Sequence, residues 1–86
     1  MSYYFYLARC SDGSLYSGSC LDIHERGRKH NEGKGAKYTR SRRPVKMIYS
    51  EEFATLKDAR CREVEVKRWS KEKKENLATG KHLTKD

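Results

Sequence analysis

The chain has 86 residues, enough for one domain, and its 37% charged against 35% hydrophobic residues indicate a polar protein with a small core. The formal net charge of +8 at pH 7 is typical of a domain that binds a polyanion such as a nucleic acid. No apolar run approaches the roughly 20 residues of a membrane span and no signal-peptide core opens the chain, so we expect a cytoplasmic protein with no membrane partner.

The first two predicted elements form a β-hairpin. Residues 2–9 are rich in strand formers, residues 11–13 (Ser-Asp-Gly) form a turn, and residues 15–20 return as the second strand. A three-residue loop with its glycine in the left-handed conformation pairs Ala8 with Tyr16. A shift of the register by one residue would move every side chain of a strand to the opposite face of the sheet. Only this register avoids mixing apolar and polar side chains on both faces. The two faces carry Tyr4, Tyr6, Ala8 and Tyr16 on one side, and Phe5, Leu7 and Leu15 on the other.

A short helix and a basic segment follow the hairpin. Asp22 is the predicted N-cap, with Glu25 three residues later as in a capping box, and the helix is expected to end near Asn31. Gly27 costs roughly 1 kcal/mol in a helix relative to alanine, which a close backbone approach to the hairpin would explain. Residues 33–44 are predicted to be a loop that contacts a nucleic-acid backbone, with a tyrosine stacking on a base. The candidates for these contacts are Lys34, Lys37, Tyr38, Arg40, Arg42 and Arg43.

The remaining elements complete an α+β domain over residues 1–78. A third strand is predicted over residues 45–53, followed by two hydroxyl-capped helices that end near Trp69 and Ala78. The order β-β-α-β-α-α predicts a small three-stranded antiparallel sheet, the hairpin plus the third strand, flanked by helices. Residues 79–86 are predicted to be a flexible tail. One stripe of the second helix is expected to contain Leu56, Ala59, Glu63 and Val64.

Two short motifs and their spacing carry a family resemblance. The first motif is YFY at residues 4–6 and the second is YSG at residues 16–18. Tyr6 of the first motif and Tyr16 of the second lie ten residues apart. Arg26 follows ten residues after the second tyrosine, His30 lies one helical turn further, and a glutamate follows on a downstream helix. Together with the run GKGAKYTR at residues 33–40, this pattern resembles the GIY-YIG nuclease superfamily, and in particular its short stand-alone bacterial members.

The resemblance implies a metal-dependent endonuclease that hydrolyses phosphodiester bonds. By position in the motif, Tyr6 is the first candidate for the general base and Tyr16 is the alternative. Arg26 would stabilise the charge of the transition state, and Glu63 would bind one Mg²⁺ or Mn²⁺ ion. His30 would hold a phosphate oxygen, assist the base or serve only as a structural hydrogen-bonding group.

Each candidate also has a structural alternative. Two strand tyrosines would cover an apolar face, and Arg26 would lie on the surface beside two glutamates. Glu63 would form an i,i+4 ion pair with Lys67, and Glu65 is the competing carboxylate. The basic run would be a solvated face that promotes solubility. Ser17 replaces the isoleucine of the family motif without removing a catalytic side chain, and its hydroxyl needs a partner in the core.

The substrate is expected to be DNA, single-stranded or structured, cut in repair or recombination. The chain contains no base-reading module, so we expect cleavage guided by the shape of the nucleic acid or by a protein partner that supplies specificity. One rival hypothesis is a non-catalytic DNA- or RNA-binding module on the same fold. Another is a protein-interaction domain whose basic loop meets an acidic partner.

Overall fold

The computed structural model describes residues 1–80, which form an α+β fold with the predicted order and one additional helical turn. No helix in this part of the chain is long and apolar enough to cross a bilayer. Thr79 ends the last helix and Gly80 caps it, whereas the rest of the tail predicted over residues 79–86 lies outside the described residues. The elements are β1 (Tyr3–Arg9), β2 (Leu15–Cys20), α1 (Ile23–Asn31), α2 (Lys37–Arg40), β3 (Lys46–Phe53), α3 (Leu56–Lys67) and α4 (Lys71–Thr79).

The three strands form one antiparallel sheet of order β2-β1-β3. The predicted hairpin register is confirmed, because Ala8 pairs with Tyr16 and Tyr6 pairs with Gly18. Gly13 closes the turn with φ 87°, a left-handed conformation that glycine adopts without steric cost. Because β2 lies at the edge of the sheet, side chains from both of its faces can reach a common groove along that edge.

The two faces of the sheet support separate hydrophobic clusters. α1 lies over the face that carries Tyr6, and α3 and α4 pack on the opposite face. The first cluster consists of Tyr6, Ala8, Cys10, Cys20 and Val45. The second consists of Phe5, Leu7, Val66 and Leu77. The alternation of the hairpin thus sends the two sets to the faces predicted from the register.

The predicted N-cap of α1 is confirmed, but the capping box is only half formed, because the Glu25 carboxylate pairs with Arg28. The reason for the glycine in α1 also differs from the predicted one. The Asp22 carboxylate accepts a hydrogen bond from the Glu25 N–H at 2.9 Å. A Cβ atom on Gly27 would lie 2.9 Å from Cγ of Met47 in β3, so the prediction of a close approach to the hairpin is wrong. α1 packs against the third strand because β3 takes the free edge of β1, a pairing that local sequence does not encode.

Two further differences concern the basic segment and α3. The segment predicted as a loop over residues 33–44 contains the single turn α2. In α3 the buried residues are Ala59 and Val66, whereas Val64 is 51% exposed, so the predicted stripe is wrong at that position. Ala59, Glu63 and Val66 share one face by helical spacing, and this face packs on the sheet. Both valines are apolar, so composition alone did not distinguish the buried one.

Candidate active site

A cleft of about 320 Å³ at the open edge of β2 collects four of the five predicted catalytic residues, whereas the buried His30 does not line it. Tyr6 and Tyr16 reach it from one face of the hairpin, Arg26 from α1 and Glu63 from α3. Elements far apart in the chain therefore contribute a phenol, a guanidinium and a carboxylate to one space. Two residues that the sequence did not single out, Ser19 and Arg60, also line it.

Tyr6 lines the cleft but is almost completely buried, and its hydroxyl belongs to a defined hydrogen-bond chain. The side chain is 1% exposed, and Oη lies 2.8 Å from Nε2 of His30. The Thr39 hydroxyl donates to the carbonyl of Ala36 at 2.9 Å and lies 2.8 Å from His30 Nδ1. Since the only hydroxyl proton of Thr39 is used, Nδ1–H donates to Thr39 and Nε2 accepts from Tyr6.

Burial acts in opposite directions on the two members of this pair. It raises the pKa of Tyr6 well above the ordinary value of 10.0, with a further increase from Tyr16 and an opposing effect of the Arg26 charge. Burial, and then the Arg26 charge, lower the pKa of His30 below its ordinary value of 6.5. At neutral pH the pair therefore consists of a protonated phenol and an uncharged imidazole whose Nε2 lone pair is directed at it.

Tyr16 stands in an aromatic group outside this chain. Its ring lies 5.6 Å from the His30 ring and is stacked on Tyr38 at 5.9 Å with an interplanar angle of 23°. The Arg42 guanidinium carbon lies 3.9 Å from the centroid of the Tyr38 ring. Tyr38 thus positions Tyr16, and a nucleic-acid base could stack on the covered face of Tyr38 only after Arg42 leaves it.

Arg26 points into the cleft and not toward the glutamates of its own helix. Its guanidinium lies 3.5 Å from the carbonyl oxygen of Ser19. Glu25 and Glu32 instead form ion pairs with Arg28. The surface pairing considered as an alternative for Arg26 is therefore taken by another arginine, and Arg26 keeps donors free to bind an anion in the cleft.

Glu63 faces the cleft and forms the i,i+4 ion pair at the same time. Its side chain is 18% exposed, Oε2 lies 2.8 Å from Lys67 Nζ, and Oε1 accepts a hydrogen bond from the Ser19 hydroxyl at 2.8 Å. Glu65, the competing carboxylate, is 57% exposed, pairs with Arg62 and does not line the cleft. The ion pair with Lys67 is therefore present as the sequence suggested, and the role of Glu63 as a metal ligand stays a prediction.

The donor atoms fit a magnesium or manganese ion held by one carboxylate. Within residues 1–80 no group of three or more His, Cys, Asp or Glu side chains is placed to enclose a metal. Mg²⁺ retains several waters and commonly takes only one or two protein carboxylates, with the substrate completing the shell. The carboxylate of Glu63, beside the Ser19 hydroxyl in a solvent-open cleft, meets that requirement, but the Lys67 ammonium already occupies one of its oxygens.

Comparison with known proteins identifies the family. A family model described as the GIY-YIG catalytic domain matches residues 2–76. The chain belongs to the GIY-YIG family. This is a nuclease-type family, in agreement with the motif spacing of the two tyrosines.

Its relatives include several proteins named UPF0213. One from Bacillus pumilus is 50% identical over 74 residues, covering 86% of this chain and 76% of that protein. Another, from Staphylococcus saprophyticus, is 51% identical over 75 residues, covering 87% and 92%. The solution NMR structure of a UPF0213 protein from Bacillus halodurans is similar with a TM-score of 0.58 and 39% identity, covering 98% of this chain and 95% of that one. An E. faecalis protein gives a TM-score of 0.62 and 39% identity, covering 100% and 92%.

The GIY-YIG motif departs from its usual sequence at Ser17. The side chain is 3% exposed, and its Oγ is buried with no hydrogen-bond partner in residues 1–80. The partner that a core hydroxyl requires is therefore missing at this position. Ser17 pairs with Leu7 across the hairpin, so its unpaired hydroxyl lies on the face of the sheet opposite the Tyr6 side chain.

The cationic side chains in the basic segment of this GIY-YIG domain are of two kinds. Some are engaged in hydrogen bonds or ion pairs within the protein, and the others are exposed and free to bind a ligand. Arg42 bonds to Asp12 at 3.0 Å and to the carbonyl of Tyr38 at 2.8 Å. The other engaged cations are Arg43, which donates to carbonyls of Arg40 and Asn31, and Lys34, which lies 3.7 Å from Glu32. Lys37 and Arg40 are exposed and form no ion pair within the described residues. The guanidinium groups of the segment thus serve mainly to hold its own shape.

Sequence reasoning missed three residues that shape the GIY-YIG site. Thr39 is fully buried and orients His30, and a Cβ atom on Gly35 would overlap the His30 ring. Both lie in the GKGAKYTR run that supported the resemblance, so their presence was noticed but their contacts were not. Ser19, which bonds to Glu63, had no signal in the sequence because its role depends on α3 packing beside β2.

Proposed function

We propose that the protein is a metal-dependent endonuclease that hydrolyses phosphodiester bonds of DNA, single-stranded or structured, in the cytoplasm during repair or recombination. The observation that supports this proposal is the convergence of Tyr6, Arg26 and Glu63 on one cleft. Phosphodiester hydrolysis needs a proton acceptor for the attacking water, a cation for the charge of the transition state and a site for a divalent ion. The basic face beside the cleft would attract the polyanion.

The Tyr6–His30 pair supplies the proton acceptor. A free phenolate at pH 7 would cost about 4 kcal/mol at the ordinary phenol pKa, and burial increases this cost. A concerted transfer avoids it: Tyr6 takes a proton from the attacking water while its own proton passes over 2.8 Å to His30 Nε2. Nδ1–H of His30 remains bonded to Thr39, which keeps the imidazole oriented as it becomes charged.

Arg26 and Glu63 act on the phosphate and its counter-ion. The planar guanidinium of Arg26 would contact two phosphate oxygens, a geometry that lysine does not reproduce. Glu63 would hold one Mg²⁺ or Mn²⁺ ion, which, when bound, neutralises charge that develops on the leaving oxygen. Tyr16, which is stacked on Tyr38 and meets the His30 ring edge-to-face, would border the bound strand.

The test is cleavage of single-stranded, duplex and branched DNA with and without Mg²⁺. We expect Mg²⁺-dependent cleavage by the unchanged protein and its loss in Glu63→Gln and Arg26→Ala. Glu65→Gln is the matched control, because it neutralises an exposed carboxylate two residues away on the same helix. Cleavage that persists without a divalent ion, or that is equally reduced in both glutamate variants, would contradict the proposal.

A non-catalytic DNA- or RNA-binding module is the second candidate. The ion pair of Glu63 with Lys67 favours it, since this pair satisfies the carboxylate without a metal. Salt-sensitive binding of nucleic acid with no cleavage of any of the three DNA forms would support this candidate over the first. A protein partner that supplies specificity is compatible with either.

A further inference from the structure

We propose that Lys67 acts as a built-in competitor for the metal site, so that Glu63 accepts a divalent ion only when a nucleic-acid phosphate draws the Lys67 ammonium away. The inference rests on the proposed function, and it adds that the nucleic acid must bind before the metal binds well. Metal and nucleic acid would bind with positive coupling, and the free protein would be largely metal-free.

Both oxygens of Glu63 are in use before any ligand arrives. Ser19 donates to Oε1 at 2.8 Å, and Lys67 Nζ lies 2.8 Å from Oε2. The Ser19 contact comes from a paired strand residue, so it orients the carboxylate and is compatible with a metal on the other oxygen. The Lys67 contact is not compatible, because an ammonium and a divalent cation on the same oxygen would repel each other at close range.

Lys67 differs from an ordinary surface lysine in where its ammonium lies. Nζ is 5.8 Å from the centroid of the ring of Tyr16, a residue that lines the cleft, so the ammonium lies close to the site. The partner carboxylate is only 18% exposed, so solvent screens this pair less than it screens most helical i,i+4 pairs.

The charges around the cleft explain why phosphate would favour metal binding. Arg26 and Arg60 line the cleft with Glu63, and Lys67 is paired with the Glu63 carboxylate, so these side chains carry a net positive charge in the free protein. A divalent cation adds to this excess, whereas a phosphodiester reduces it and offers Lys67 a second acceptor. The Lys67 side chain is 48% exposed and long enough to change partners. By linkage, metal would then strengthen nucleic-acid binding by the same factor.

The experiment titrates the full chain with Mn²⁺ and measures free Mn²⁺ by electron paramagnetic resonance. Lys67→Met removes the charge and keeps the apolar stem, and we expect it to tighten Mn²⁺ binding by at least about tenfold. Lys57→Met, which removes an equal charge from the first turn of the same helix, should change binding by less than about twofold. Thermal unfolding of each variant checks that it folds.

A second titration adds a short single-stranded oligonucleotide in a Tyr6→Phe background, in which we expect cleavage to be slow. Mn²⁺ binding should tighten about tenfold when Lys67 is present and change little in Lys67→Met. Unchanged or weaker Mn²⁺ binding by Lys67→Met, or binding that Glu63→Gln does not abolish, would overturn the inference. If such a result came with metal-dependent cleavage by the unchanged protein, the inference about Lys67 would fail and the proposed nuclease function would stand. If Lys67 competed with Mn²⁺ as expected but the unchanged protein cleaved no DNA, the nuclease function would fail and the competition would stand.

Discussion

Tyr6 and Gly18 are paired across β1 and β2, and a Cβ atom on residue 18 would lie 2.5 Å from the Tyr6 hydroxyl oxygen. The glycine that ends the YSG motif therefore provides the space in which the phenol lies. Gly35 does the same for the His30 ring. Gly18 and Gly35 thus leave the space that the Tyr6 and His30 side chains occupy. Glycines without a reactive side chain therefore determine where the hydrogen-bonded pair lies.

Substitution of either glycine should disturb the pair. We expect Gly18→Ala to lower the free energy of unfolding by about 1–3 kcal/mol, because the added methyl group forces the Tyr6 ring to move. Urea unfolding measures this change. Ser50→Ala is the control, since Ser50 pairs with Tyr6 from the β3 side and is exposed, and it should cost less than about 0.5 kcal/mol. Equal stability of Gly18→Ala and the unchanged protein would show that the space is not required.

The two tyrosines should differ in their effect on cleavage. Tyr6→Phe removes the hydroxyl bonded to His30, and we expect the single-turnover cleavage rate to fall by about 10²–10⁴-fold. Tyr16→Phe keeps the ring stacked on Tyr38 and should reduce the rate by less than about tenfold. A larger loss in Tyr16→Phe than in Tyr6→Phe would assign the base to Tyr16 instead.

His30 should make the stability of the fold depend on pH. Its pKa in the folded protein is lowered below the ordinary 6.5, so the unfolded chain takes up a proton at a pH where the folded protein does not. The free energy of unfolding should therefore be highest above pH 6.5 and decrease as the pH falls below it, by up to ~1.4 kcal/mol per pH unit, until the folded pKa is reached.

The control for this titration is the second histidine of the described chain. His24 is exposed on α1, and His24→Asn should keep the pH dependence, whereas His30→Asn should remove it. The carboxyl groups whose pKa is lowered by hydrogen bonds have ordinary values of 4.5 or less, so their contribution is lost at more acid pH. Urea unfolding from about pH 7.5 to 5 separates the two windows. An unchanged slope in His30→Asn would contradict this assignment.

The unpaired hydroxyl of Ser17 should destabilise the fold, so its removal should raise the stability. We expect Ser17→Ala to raise the free energy of unfolding by about 1 kcal/mol, because it deletes a buried polar group that has no partner in the described chain. Thr39→Val deletes a buried hydroxyl that bonds to His30 and Ala36, and it should lower the stability by about 1–3 kcal/mol. Thermal unfolding compares the two, and a loss of stability in Ser17→Ala would mean that its hydroxyl is satisfied in solution.

The free cations of the basic segment should account for its salt-dependent DNA binding. Lys37→Ala and Arg40→Ala should each reduce the slope of the logarithm of affinity against the logarithm of salt concentration by about 1. Arg42→Ala should instead loosen the segment, because Arg42 ties it to Asp12 and to Tyr38. Fluorescence anisotropy at several salt concentrations measures the slopes. Slopes unaffected by both Lys37→Ala and Arg40→Ala would place the DNA on another surface.

Much of the fold followed from local rules. The hairpin register came from a three-residue turn and from alternation along two short strands, and both operate within a few residues. The helix starts at Asp22, Thr55 and Ser70 were equally local, since each side chain accepts a hydrogen bond from an N–H three residues ahead. The α+β order therefore needed no knowledge of packing, and the motif spacing was enough to indicate the family.

What only the tertiary structure decided is which atoms meet. Tyr6 contacts His30, Glu63 divides its oxygens between Ser19 and Lys67, and both arrangements depend on how α1 and α3 dock on a sheet whose third strand arrives late in the chain. The burial of Val66 in place of Val64 has the same origin. Periodicity records which way a side chain points from its own backbone, whereas the partner of a long polar side chain depends on the position of another element, which no local pattern specifies.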